Sequence, residues 1–141
     1  MIYMYLLKAN YVRQTSITRF EIPIKEVYFM SITSDLIRGH TDTIILALLI
    51  HGDNYGYEIN KSIMQKTDGK YELKEATLYT AFRRLEQAGN IVSYWGDEQT
   101  GARRRYYSIT EDGRELHKSL IKDWNNAKEM IDKLIESEEE K

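Results

Sequence analysis

EATLYTAFRRLEQAGNIVSYWGDEQTGARRRYYSIT, residues 75–110, carries the pattern that decides the fold. At 100° per residue, Leu78, Ala81, Phe82, Leu85 and Ala88 share one stripe, which predicts a helix with one buried face. The opposite face carries Ala76, Tyr79, Thr80, Arg83 and Gln87, with Thr77 and Arg84 at its border. Gly89 stands where a left-handed C-cap belongs, and Ile91 opens the next element. Ile91 to Trp95 and Arg105 to Ile109 are rich in β-branched and aromatic residues, which favours two strands. Gly96 and Gly101 mark a connection too long for a two-residue hairpin turn. Alternation sends Arg103, Arg104 and Arg105 to both faces of the second strand. It also sets Tyr106 and Tyr107 on opposite sides, one packing on the helices and the other within reach of a backbone phosphate.

A helix followed by a basic hairpin is the order found in the DNA-reading half of a winged helix-turn-helix. The outward face suits a major groove, where Arg forks onto guanine, Gln onto adenine, and a Thr methyl touches thymine. An ordinary amphipathic helix with a solvated polar face shares much of this pattern. Solvent faces favour Lys and Glu, however, over an outward Tyr79 beside Thr80. Three adjacent arginines beside a hairpin tip are placed to neutralise phosphates, although a solvated charge run reads similarly. The expected DNA contacts are therefore Ala76, Thr77, Tyr79, Thr80, Arg83, Arg84 and Gln87 on the helix, with Arg103, Arg104 and Arg105 on the wing.

Working outward, 141 residues with 42% hydrophobic content fit one domain with a modest core. The absence of cysteine excludes disulfides and thiolate zinc sites. His40, His51 and His117 lack metal-ligand spacing, and no cofactor is expected. The net charge of −2 requires any DNA reader of this composition to concentrate positive charge locally, so binding should be salt-sensitive. No apolar run approaches the ~20 residues of a membrane span, and no signal pattern opens the chain, so a cytoplasmic protein without a membrane partner is expected.

Residues 1–29 hold the only proline, Pro23, many tyrosines and a brief alternation at Arg19–Ile22, with no helical stripe. They read as an appended or upstream-translated, loosely ordered segment. The expected organisation is an extension over residues 1–33, a DNA-binding domain over 34–110, and a dimerisation helix with an acidic tail over 111–141. Ser34 or Asp35 is expected to cap a helix running through Ile44–Ile50 to Gly52, apolar almost all round and so covered on several sides. Asp53–Asn54 should cap a second helix whose Tyr55, Ile59 and Ile63 share a face, and Asp68–Gly69 should close the loop before the reading helix. The fold class is thus mainly α with a small β-hairpin.

Thr110 is placed as an N-cap, with Glu111 and Asp112 in the first turn where the helix dipole favours negative charge. The last helix spaces Leu116, Leu120, Trp124, Ala127, Ile131 and Leu134 by fours and threes, a coiled-coil-like seam. A helix of about 25 residues is ~37 Å long, more than a small winged domain covers, so a homodimer is expected. A tryptophan is too large for a tight two-helix seam; Trp124 either fills a core or props a gap open.

Taken together, HGDNYGYEI (51–59), EATLYTAFRRLEQAG (75–89) and GARRRYYSITEDG (101–113) resemble the PadR family of transcriptional regulators, over residues 34 to about 135. GDNY, EATLYT and SYWGDE, with a lone tryptophan midway along the last helix, look most like the family's multidrug-sensing repressors. That resemblance implies a homodimer bound to an inverted-repeat operator in double-stranded DNA. It also implies that planar hydrophobic molecules stack between two symmetry-related copies of Trp124. The same resemblance places Leu36, Gly39, His40, Thr43 and Ala47 of the first helix, and Leu120, Ile121 and Ala127 of the last, along the ligand pore. Two positions depart from it. Lys128 stands one turn after Trp124, where the drug-sensing members are expected to carry an acidic residue, and Thr80 stands where many members carry proline.

Other readings stay open: a PadR regulator of another signal such as a phenolic acid, or a winged helix used only for protein contact. An enzyme is not expected, because no nucleophile–base constellation, paired carboxylate motif or phosphate loop occurs.

Overall fold

The computed structural model describes residues 32–97 and 103–136. The chain divides into two units, Met1–Ile37 and Arg38–Lys141. The expected N-terminal extension, the tip of the wing with Gly101 and the acidic tail lie outside the described residues, apart from its residues 32 and 33 and Glu136.

Residues 32–38 are helical, with Ser34 and Asp35 inside the helix and not at its cap. The backbone then turns at Gly39 and His40, and α1 runs over Thr41–Leu49. The expected single helix is therefore two. Thr41 makes the second start, donating from Oγ1 to the Arg38 carbonyl at 2.7 Å while itself buried. As its apolar run predicts, α1 is central: Ile45, Leu46 and Leu49 are fully buried, with Ile44 and Leu48 packed against the same core.

Asp53 and Asn54 are not the cap of the second helix: Asn54 and Tyr55 form a short strand, β1, and Tyr55 is the N-cap of α2 (Gly56–Lys66), without a side-chain cap bond. Ile59 and Ile63 bury the inner face of α2. Its end is a Schellman turn through Asp68 (φ 52°): Gly69 N–H donates to the Met64 carbonyl at 2.7 Å and Asp68 N–H to Gln65. The Asn60 side chain then pins the connection to Leu73 in both directions, at 2.7 and 2.8 Å. This fixes the turn that delivers α3, Glu75–Gln87.

In α3, Leu78, Ala81, Phe82 and Leu85 are buried as the stripe predicts. Ala88 is exposed, because it is the C-cap, where the chain leaves the helical path. Gly89 (φ 77°) completes a second Schellman turn, with Asn90 N–H on the Leu85 carbonyl and Gly89 N–H on Glu86. A left-handed residue is needed there, and glycine adopts that conformation without steric cost.

β2 (Ile91–Trp95) and β3 (Arg105–Ile109) pair antiparallel, with Ser93 opposite Tyr107 and Trp95 opposite Arg105. β1 adds to the far edge of β3, giving the order β1-β3-β2. Thr110 caps α4 (Glu111–Ile135) by accepting from Gly113 N–H at 3.1 Å, and its own N–H donates to the Asn90 carbonyl. Among the described residues no helix is long and apolar enough to cross a membrane.

Gly113 is the most closely packed of the described glycines. A Cβ there would fall onto the Asn90 carbonyl oxygen and 2.8 Å from Ile109 Cγ1. Gly113→Ala must push α4 away from the sheet, and the expected loss is about 1–3 kcal/mol, the usual range for overpacking a tight site. A melting temperature equal to that of the parent would contradict this packing.

Candidate nucleic-acid interface

The outward face of α3 is exposed at Ala76, Tyr79, Thr80, Arg83 and Gln87, with Thr77 half-buried at its border. Tyr79 is steadied from below. Its ring meets Phe82 edge-on at 5.8 Å, and a Cβ on Gly56 would come within 3.1 Å of its hydroxyl, so the phenol lies over the start of α2. A shallow cleft of about 190 Å³ separates α3 from the wing and is lined by Tyr79, Arg83, Glu86, Arg105 and Tyr107.

The helix and wing are joined by Phe82 and Tyr107, whose rings stack at 3.8 Å with 14° between planes. Burial pushes the Tyr107 phenol above the ordinary tyrosine value. Tyr107 is thus the strand tyrosine that packs on the helices. Tyr106, on the other face, does not reach outward as expected. It stacks on Tyr94 at 5.7 Å and meets Tyr55 edge-on at 5.3 Å. The Tyr94 hydroxyl donates to Asp53 at 2.7 Å, and that bond raises its pKa.

The three wing arginines have different surroundings. The Arg103 guanidinium lies over Trp95 and that of Arg104 over Tyr55, each 4.8 Å from the ring centre. Arg105 turns toward α3, pairing with Glu86 at 3.0 Å and bonding Ser93. The helix arginines also differ. Arg83 is exposed, whereas Arg84 forks onto both carboxylate oxygens of Asp42, at 3.1 and 2.5 Å, a bond that raises its pKa. Arg84, expected at the border of the reading face, lines a cleft with Ala76, Thr77 and Thr80 while it holds this pair. Its charge is compensated by α1, which sequence periodicity within α3 does not register.

A second cleft, of about 330 Å³, opens between α1 and α4. Of the residues placed along a ligand pore, it is lined by Gly39, His40, Thr43, Leu120, Trp124 and Ala127. His40 meets Trp124 edge-on at 4.7 Å. Ala47, Ile121 and Lys128 stand outside this lining, Ala47 one turn beyond Thr43 and Lys128 one turn beyond Trp124; Leu36 is exposed on the 32–38 helix. Asp42 and Asp123, which the sequence reading did not single out, do line it. Asp123 directly precedes the tryptophan, and that adjacency was the available signal.

Residues 45–119 match the transcriptional regulator PadR-like family. An uncharacterized protein of Lysinibacillus sphaericus is 46% identical over 105 residues, 74% of this chain and 96% of that protein. The solved structure of a transcriptional regulator from Clostridium thermocellum is similar at 52% identity and a TM-score of 0.68, covering 73% of this chain and all of that one. A PadR family transcriptional regulator from Eggerthella lenta superposes with a TM-score of 0.70 at 27% identity, over 80% of this chain and 96% of its own. A helix with an open polar face, a wing stacked against it and this breadth of likeness agree: the chain belongs to the PadR-like family of transcriptional regulators.

Proposed function

We propose that the protein is a cytoplasmic transcriptional repressor that reads an inverted-repeat operator as a homodimer, controls multidrug efflux genes and releases DNA when planar aromatic molecules bind. The observation that carries the DNA reading is the exposed face of α3 standing beside the wing. In the proposed complex Ala76, Thr77, Tyr79, Thr80, Arg83 and Gln87 face base edges and Arg103 and Arg104 grip phosphates. The two reading helices of a dimer would meet half-sites about one helical turn apart, ~34 Å. Arg83→Ala should cost about 1–3 kcal/mol on the preferred duplex if Arg83 forks onto a base. Arg104→Ala should weaken all duplexes alike and flatten the salt dependence. Gel shifts in which both variants bind like the parent would remove α3 and the wing as the reading surface.

α4 supports the dimer. Leu116 and Leu120 pack against the chain's own core, but Ile131 is 44% and Leu134 82% exposed, with Met130 and Ile135 open beside them. A row of large apolar side chains at the end of a 25-residue helix is a surface that a second α4 would cover. Ile131→Asp should give a monomer, because an unpaired carboxylate would be buried in the seam. Sedimentation of the unaltered protein as a monomer at micromolar concentration would rule the seam out.

The ligand reading rests on Trp124, 39% exposed at the edge of the α1–α4 cleft with His40 against it. The cleft's size lies at the lower end of small-molecule sites, so pairing two across a two-fold axis would suit a flat ligand held between both tryptophans. Aromatic stacking contributes about 0.5–1.5 kcal/mol per pair beyond area burial. Trp124→Ala, which removes both rings of the dimer, should therefore weaken planar dyes by roughly tenfold or more. Calorimetry showing unchanged affinity for every dye would leave the repressor without this ligand site.

A further inference from the structure

We propose that Arg105 is a positioning residue for DNA reading: it clamps the wing to the last turn of α3 and does not itself neutralise a phosphate. This assignment rests on the DNA-reading function proposed above. One guanidinium joins three elements. Its Nη2 donates to Glu86 Oε2 of α3 at 3.0 Å and to Ser93 Oγ of β2 at 2.8 Å, while its Nε reaches the same Ser93 Oγ at 3.0 Å. The Ser93 hydroxyl donates in turn to Glu86 Oε1, closing the network. The guanidinium carbon sits 5.7 Å from the centre of the Tyr107 ring, which stacks on Phe82. A planar fork with several fixed donors can span a carboxylate and a hydroxyl together; a lysine ammonium, a single point charge, cannot hold that geometry.

Charge separates Arg105 from its neighbour. The Glu86 carboxylate already compensates Arg105, so a DNA phosphate would have to compete with a formed ion pair. Arg104 lies over the Tyr55 ring, a contact that leaves its positive charge in place to displace counterions from DNA. The clamp acts on geometry. Helix and wing touch different parts of one duplex, and the second contact gains from the first only while their separation matches the DNA. A wing released from Glu86 would still attract phosphates but would lose register with the bases read by α3. Sequence-specific binding should suffer more than non-specific binding.

The test uses the full chain and two duplexes: one that the parent selects from a randomised pool and a scrambled one of equal length, titrated by fluorescence anisotropy over a range of salt. Arg105→Gln is expected to weaken the selected duplex by about three- to tenfold, the range for losing one solvent-exposed hydrogen bond of ordinary net strength, and to leave the scrambled one nearly unchanged. The salt slope should stay at the parent's value, whereas Arg104→Ala lowers it by about 0.9. Arg105→Lys keeps the charge and should behave like Arg105→Gln. Glu86→Gln gives an independent reading with opposite signs: a positioning clamp predicts weaker binding to the selected duplex, a phosphate-binding Arg105 predicts tighter binding to both. Rescue by lysine, a slope lowered as by Arg104→Ala, an unaltered selected duplex, or tighter binding by Glu86→Gln overturns the assignment. A parent that selects no duplex from the pool overturns the DNA-reading function itself and this assignment with it, a result that is seen before any variant is made.

Discussion

The stack of Phe82 on Tyr107 is the contact on which the arrangement depends. Phe82 is the largest fully buried side chain among the described residues, on the inward stripe of α3, and Tyr107 is the buried residue of the central strand. Because side chains alternate along a strand, burying Tyr107 sends Tyr106 to the far face and turns Arg105 toward α3. Because the helix repeats every 3.6 residues, burying Phe82 leaves Thr80 and Arg83 on the open side. One aromatic contact therefore sets which side chains face solvent on both elements.

Charge is placed with similar economy. A chain of net charge −2 does not attract DNA as a whole, so its arginines must be sorted by location. Asp42 compensates Arg84, and Glu86 compensates Arg105, each tying α3 to a neighbouring element. Arg83 and Arg104 have no carboxylate partner among the described residues. Surface ion pairs contribute little stability, about 0–1 kcal/mol, and the effect of these two pairs is better sought in orientation than in the melting temperature.

α4 changes character along its length. Gly113 lets its first turn press against the Asn90 carbonyl, and Leu116 and Leu120 join the core of the same chain. Beyond Trp124 the large apolar residues are open. The transition falls at the α1–α4 cleft, so a pocket and an unpartnered helix surface lie side by side.

The sequence by itself determined the elements whose periodicity is local. The stripe Leu78–Phe82–Leu85, the bounds of both hairpin strands, the Gly89 cap and the Thr110 cap all follow from spacing within a dozen residues, and each is found where it was expected. Ala88 fell outside the stripe because a C-cap has already left the helical path. What only the tertiary structure decided involves residues far apart in the chain. β1 is two residues long and exists because the edge of β3 offers it partners some fifty positions away, which no pattern in Asn54–Tyr55 announces. The break at Gly39–His40 comes with Thr41 bonding back to Arg38, and α1 begins only there, just ahead of the apolar run Ile44–Ile50. The fates of Arg84 and Arg105 were likewise invisible, since an arginine reads as available charge until the fold brings a carboxylate to it, and Asp42 is 42 residues from Arg84.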